Sequence, residues 1–340
     1  MKKSLNILSL LLLVILPACE HKDLCYHHSD HAHKHHINVI ADYRYDWEEN
    51  YGGPDWSAEW PSHYMDYESL RPEKPSGIRI VNHNEQGLSD KHNIGPDGGV
   101  VTLYEGYNDV LFYNNDTEYI MFSNTDNVAS TRATTRTRTR ATYMGNEYAN
   151  KNEVTMTPPD MLFANYYEDL LVEKLEIPTD VEVTLQPLVF TYKVRYEFSK
   201  GLEYVALARG ALSGMARSVL LYNGNTSDEA ATILYDCELT DYGARAIVTT
   251  FGVPGYPNKN YPTRGDETVK HGLNLEILMR NGSMVIKEFD VTDQVQAQPH
   301  GGVIVVSGIE VEHTEGTQGS GAFDVDVNDW GPYEDIPLPL

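Results

Sequence analysis

Seven histidines crowd the stretch from residue 21 to residue 36: His21, His27, His28, His31, His33, His35 and His36. Neutral imidazole binds zinc, copper and nickel, and His31, His33 and His35 at alternate positions would line one side of an extended chain. His27-His28 and His35-His36 add donors, so His27, His28, His31, His33, His35 and His36 are the candidate metal ligands. Only Asp23 and Asp30 lie close by to orient an imidazole, and a catalytic metal needs such support. The tract therefore reads as weak metal capture or as a polar tether, with no resident cofactor expected.

A second chemical signal is the run of Thr, Arg and Ala over residues 130–142, with Arg132, Arg136, Arg138 and Arg140. In one strand, Arg136, Arg138 and Arg140 would form a cationic face for sulfate, carboxylate or anionic glycan. In a loop they would be sites for trypsin-like proteases. The plainer expectation is that they pair with the chain's own carboxylates. Nucleophilic chemistry finds no footing: Gly-x-Ser-x-Gly and His-Glu-x-x-His are absent, Ser213 and Ser218 have no assignable base, and no His neighbours Cys237. Asp324, Asp326 and Asp329 alternate with Val325 and Val327 but lack the glycine and glutamate of a calcium loop, so an edge strand is expected there. Trp47, Trp56, Trp60 and Trp330, with Tyr51 and Tyr64, would stack on sugars or seal a core. No enzyme is expected.

The amino terminus sets the expected compartment. Lys2 and Lys3 precede an apolar run from Leu5 to Leu16, too short to span a bilayer but suited to a signal peptide. Leu16-Pro17-Ala18-Cys19 then resembles a bacterial lipobox, which implies cleavage between Ala18 and Cys19 and lipidation of Cys19. Several acyl chains on one residue hold a protein on a bilayer where a single chain does not. The expected place is the outer membrane, lipid-anchored and surface-exposed. Of the other cysteines, Cys25 and Cys237 either pair in this oxidising compartment or stay as thiols. The formal net charge of −24, which becomes −26 without Lys2 and Lys3, repels phosphate backbones and excludes nucleic acid as a partner.

The elements that would position these groups are almost all strands. Alternating apolar residues mark strands from residue 37, at 77–81, 100–104, 110–113 and 119–122, and again at 181–185. Phe190, Tyr192, Val194, Tyr196 and Phe198 share one face, in a phase changed after Pro187, where a bulge or bend is expected. Leu273, Leu275, Ile277 and Met279 lead into Asn281-Gly282, a hairpin signal, and 303–306 with 309–311 supply at least one more strand. Only 160–175, behind Pro158-Pro159, reads as helical. Strands in succession without alternating helices point to antiparallel sandwiches.

Several of these pieces resemble one family. The lipobox running into Cys19-Glu20-His21-Lys22-Asp23-Leu24-Cys25, the His-rich stretch, and Gly321-Ala322-Phe323-Asp324-Val325-Asp326-Val327 look like fimbrillin-like and minor-fimbrium-anchor-like lipoproteins of Gram-negative anaerobes. Thr157-Pro158-Pro159-Asp160-Met161-Leu162-Phe163 and Leu212-Ser213-Gly214-Met215-Ala216 are similar to recurring segments of the same group. The resemblance implies an all-β chain with two tandem transthyretin-like, Greek-key β-sandwich domains. The expected organisation is a signal peptide over 1–18, a lipidated His-rich tether over 19–36, and sandwich domains over 37–179 and 180–340. It implies a structural or adhesive surface subunit, a fimbrial anchor or accessory protein whose partners are other subunits. Polymerising members are cleaved after an early arginine. Here Arg44, the only one, is expected inside a strand, which favours an anchor over a shaft subunit. The rival expectations are a glycan-binding lipoprotein using the aromatics of 47–67 and a metal-capturing one using the His tract.

Overall fold

The alternation along the chain is realised as strands. The structure, a computed structural model, describes residues 33–45, 72–149, 152–174, 177–256 and 269–314 and the backbone of 334–336. The first half holds β1 (Lys34–Tyr43), β2 (Ile78–Asn84), β3 (Ser89–Ile94), β4 (Gly98–Tyr104), β5 (Gly106–Asn114), β6 (Ile120–Ser123), β7 (Arg132–Thr135), β8 (Thr137–Thr139), β9 (Val154–Met156), β10 (Phe163–Val172) and β11 (Thr179–Pro187). The second holds β12 (Phe190–Lys200), β13 (Val205–Ala216), β14 (Ser218–Leu220), β15 (Ala230–Thr240), β16 (Gly243–Thr250), β17 (Gly272–Met279), β18 (Met284–Asp290), the helix α1 (Thr292–Ala297), β19 (Gly302–Glu310) and β20 (Glu334–Ile336). The chain is all-β, as its pattern and its resemblance imply.

A seven-stranded sheet runs in the order β3-β2-β5-β10-β11-β1-β4. Its two end strands, β3 and β4, follow one another in sequence, and a bridge between Gly95 and Gly98 joins them, so the sheet curls back on itself. Gly98 is forced by this closure: a Cβ there would sit 2.0 Å from the Val39 carbonyl oxygen of β1. Alternate residues of the strands fill the inside of the curl, among them Val39, Ile80, Leu103, Phe112 and Leu185.

The interior strand β5 buries both faces. Phe112 points into that core, while Leu111 and Tyr113 point the other way into a second cluster with Ala133, Leu162, Val189, Val219 and Phe251. This seam packs the curled sheet on a three-stranded sheet of order β14-β7-β6.

The larger sheet runs β18-β17-β13-β15-β16-β12-β19, with β9, β8 and β20 attached beside it. Tyr192, Val194 and Tyr196 of β12, Leu212 of β13, Ile233 of β15 and Leu275 and Ile277 of β17 form its core, together with Val291 and Val295 at α1. Most pairings are antiparallel, but β1 with β11, β12 with β19 and β9 with β15 run parallel, because distant segments meet there. Residues His35–Leu340 form one compact unit; of the other, Met1–Lys34, only His33 and Lys34 are described.

One local expectation is corrected. Residues 160–174 contain no helix; β10 takes Phe163–Val172, because Phe163 and Ala164 pair with β11 and are buried in two different cores. The Asp160 carboxylate, which would have begun a helix, instead accepts the backbone N–H groups of Glu118 (2.8 Å), Tyr119 (2.6 Å) and Ile120 (3.3 Å). Pro187 ends β11 and the chain bends at Val189, the bend expected there: Leu188 and Val189, both in the seam, carry the chain from the curled sheet to the larger one. The residue-180 boundary thus falls inside β11, a strand of the first sheet, while β8 and β9 from before it attach to the second. The further strand expected from 303–306 and 309–311 is β19, irregular where its register on β12 shifts.

Candidate functional site

Of the proposed metal ligands, His27, His28 and His31 lie outside the described residues, as do Ala18, Cys19, Cys25, the aromatics of 47–67, Trp330 and the 321–327 segment. His35 and His36 are successive residues of β1 and meet different partners. His35 Nε2 is 3.2 Å from Glu105 Oε2, and His36 Nδ1 is 3.2 Å from Thr102 Oγ1. Among the described residues, no three His, Cys, Asp or Glu side chains converge as metal ligands would. Arg44 is the first residue beyond β1, not within it, and its N–H donates to the Leu185 carbonyl at 2.9 Å.

The arginine run forms no single cationic face, because β7 ends at Thr135 and β8 begins at Thr137. Arg132 donates to Ser218 Oγ at 2.9 Å. The main chain of Arg136 accepts from Thr157 and donates to Tyr119. Arg138 donates to the Leu234 carbonyl (3.2 Å) and lies 3.6 Å from Asp236. Arg140 is buried, donating to the carbonyls of Gly210 (3.1 Å) and Tyr235 (2.9 Å), with Glu276 at 3.5 Å. The Arg138 and Arg140 guanidiniums bind the main chain and carboxylates of the protein itself, which explains how so acidic a chain accommodates them.

Sequence reasoning missed the polar network at the centre of the larger sheet. Tyr196 and Tyr235, across the sheet from one another, share a hydroxyl hydrogen bond of 2.8 Å, and Tyr196 also donates to the Asn274 carbonyl at 2.8 Å. Burial drives both phenol pKa values well up, so both stay neutral. Next to it, Ser213 Oγ lies 3.0 Å from the Tyr143 hydroxyl and 3.1 Å from Thr232 Oγ1, and Glu153 accepts from Gly214 N and Thr232 Oγ1, each at 2.9 Å. His271 is fully buried beside Gly214, and burial lowers its pKa to about 4. Ser213 is likewise sealed from solvent, so this cluster offers a substrate no approach; what it does is tie Tyr143 and Glu153 to β13 and β15. The half-buried Cys237 of β15 has its thiol pKa pushed up by burial, the reverse of a nucleophile's environment.

A concavity lies where the two large sheets meet. A cleft of about 470 Å³ is lined by Asn165 and Tyr166 of β10, Gln186 of β11, Tyr222 and Asn223 after β14, and His300 before β19. Its rings are cross-braced: Tyr166 meets Tyr222 edge-on at 5.8 Å, and His300 stacks on Phe190 at 4.2 Å. Among the described residues no Asp, Glu, Lys or Arg lines it, in a chain with 76 such residues (26 basic and 50 acidic). Burial, then the neighbouring Asp109, pushes the Tyr166 phenol up to about 12.

Two large sheets and a small one, with an apolar seam, buried polar ties and a cleft without charged side chains among the described residues, define an all-β scaffold. Residues 64–236 match the model of a domain of unknown function, DUF5119, and the chain belongs to that family. A Bacteroides ovatus protein assigned as a fimbrium anchoring subunit, Fim4B, is 22% identical over 303 residues, covering 81% of this chain and 88% of that one. The crystal structure of a protein assigned as an adhesin from Bacteroides ovatus matches with a TM-score of 0.57 at 20% identity, over 83% of this chain and 94% of that one. The fimbrial anchor protein Mfa2 from Porphyromonas gingivalis is a remoter likeness, with a TM-score of 0.42 at 9% identity over 80% and 91% of the two chains.

Proposed function

We propose that the protein is a structural, adhesive subunit of a cell-surface fimbrium, held at the outer membrane by lipid on Cys19 and acting as its anchor. The observation that carries this reading is the relation to the fimbrium anchoring subunit, which runs through 81% of the chain and so takes in both large sheets. The DUF5119 match and the shared fold support it, as does a larger core given over to packing and internal hydrogen bonds. Because Arg44 lies outside β1, strand membership no longer argues for anchor over shaft; the relative's assignment and the lipobox do. The partners are then neighbouring subunits and the membrane itself.

Two variants test the reading. Cys19→Ser should shift the protein from the membrane fraction to a soluble one, and surface fibres should be shed into the medium. Fibres that stay cell-bound and normal in number when the whole chain is deleted would refute the anchoring role. A second reading, binding of a neutral oligosaccharide, is favoured by the uncharged, ring-lined cleft. It predicts binding on a glycan array that Tyr222→Ala abolishes, and an array without signal would remove it.

A further inference from the structure

The apolar filling of the curled sheet gives way to polar side chains at one end. Ile80 of β2 is buried in that core, and Asn82, two residues on, faces the same way and is fully buried. Across the antiparallel ladder Asn82 stands opposite Asp90 of β3, and Ile80 stands opposite His92. Asp90 and His92 therefore share this inward face with Asn82. On the other side of β2, Asn108 of β5 is buried as well.

The hydrogen bonds fix which way each amide points. Asn108 Nδ2 donates to the carbonyls of Tyr104 (2.7 Å) and Gly106 (3.0 Å), which leaves its Oδ1 for Asn82. That oxygen needs a donor, and Asn82 Nδ2 supplies it at 3.3 Å. With its nitrogen committed to β5, Asn82 turns its Oδ1 away from β5, to the side where β3 runs. This oxygen is buried and accepts no hydrogen bond among the described residues, and the buried His92 Nε2 makes none either. Such groups are costly to leave unmet. His92 Nε2 stands 3.6 Å from Asp90 Oδ2, beyond hydrogen-bond reach. It is instead close to the separation of two ligands on one metal: with bonds of about 2.1 Å, tetrahedral neighbours on zinc lie about 3.4 Å apart.

We propose that Asn82, Asp90 and His92 form a divalent-cation site at this end of the curled sheet, pinning the end strand β3 to β2. An imidazole nitrogen beside a carboxylate suits zinc or a similar transition metal better than calcium or magnesium. The carboxamide oxygen of Asn82 is the third ligand, and a cation is what satisfies it. The Asp90 and His92 side chains are 29% and 24% exposed, so an ion reaches them from solvent. The site is separate from the His-rich tract, goes beyond the anchoring role and stands without it.

The test follows amide hydrogen exchange of the full chain with and without zinc. Zinc at about ten times its Kd should slow exchange across the β2–β3 hairpin about tenfold, with β13 and β17 amides unchanged as the internal reference. Zinc held by the His-rich tract alone leaves this hairpin as it was. His92→Ala should abolish the slowing. Asp90→Asn and Asn82→Ala should each raise the zinc concentration needed at least about tenfold. If His92→Ala loses protection throughout the curled sheet, Asp90→Asn, which keeps the size of the side chain, decides in its place. A hairpin that zinc does not slow in the unaltered chain, or slowing that survives these variants, would overturn the site.

Discussion

The Arg140 guanidinium lies 3.5 Å from the Glu276 carboxylate, and both side chains are almost fully withdrawn from water, at 3% and 1% exposure. Glu276 Oε2 also accepts from the Thr142 hydroxyl at 2.8 Å. The pair ties the segment after β8 across β13 to β17, through the Gly210 carbonyl that Arg140 also holds. Removing one partner strands the other charge. Arg140→Met and Glu276→Leu are each expected to cost about 3–5 kcal/mol, and the double variant less than their sum. Denaturant unfolding of the four proteins measures the coupling; strict additivity would show that the two groups act independently.

His271 predicts a specific acid sensitivity. Burial holds its pKa at about 4, against 6.5 as the ordinary value, with Asp290 opposing the shift. Below pH 6.5 the unfolded chain takes up a proton that the folded chain refuses, so stability falls with pH between 6.5 and about 4. The slope from this group is about 1.4 kcal/mol per pH unit, for a total near 3 kcal/mol. His271→Asn should flatten the stability profile across that window relative to the unaltered protein. Parallel profiles would remove His271 as the cause.

Gly210 is required by the ring opposite it. A Cβ on Gly210 of β13 would lie 2.1 Å from Tyr235 Cε2, and the Tyr235 hydroxyl is fixed by Tyr196. Gly210→Ala should therefore destabilise by about 1–3 kcal/mol, as overpacked cores do. Pairing it with Tyr235→Leu should recover part of that loss, which thermal melts of the single and double variants would show. No recovery would place the strain elsewhere.

Cys237 is expected to be a slow thiol. Burial raises its pKa, Arg140 opposes that rise only in part, and little thiolate exists near neutrality. In the reduced, folded protein at pH 8, alkylation should run about two orders of magnitude slower than in denaturant. Equal rates would mean the thiol is open to solvent. Mass spectrometry without reductant reports separately whether Cys25 and Cys237 are joined.

Much of the fold was legible because strand periodicity is local. Tyr192, Val194 and Tyr196 alternate in the sequence and line the larger core; Leu275 and Ile277 do the same. The hairpin at Asn281-Gly282 joins β17 to β18 as its residue types require. The region 160–175 misled for a physical reason: Glu168, Leu170, Leu171 and Glu173 favour a helix locally, but Phe163 and Ala164 are claimed by two cores that the local sequence cannot show.

The candidate sites divide along the same line. By itself the sequence determined the strand-rich class, the acidic balance and the resemblance of Leu16-Pro17-Ala18-Cys19 to a lipobox, all carried by residue type and short spacing. Only the tertiary structure decided that β1 pairs with β11, that Arg140 meets Glu276, and that Asn82 of β2 meets Asn108 of β5. Long-range contacts arise from how strands from distant parts of the chain are ordered within a sheet, and side-chain alternation, which repeats every two residues, is blind to that order.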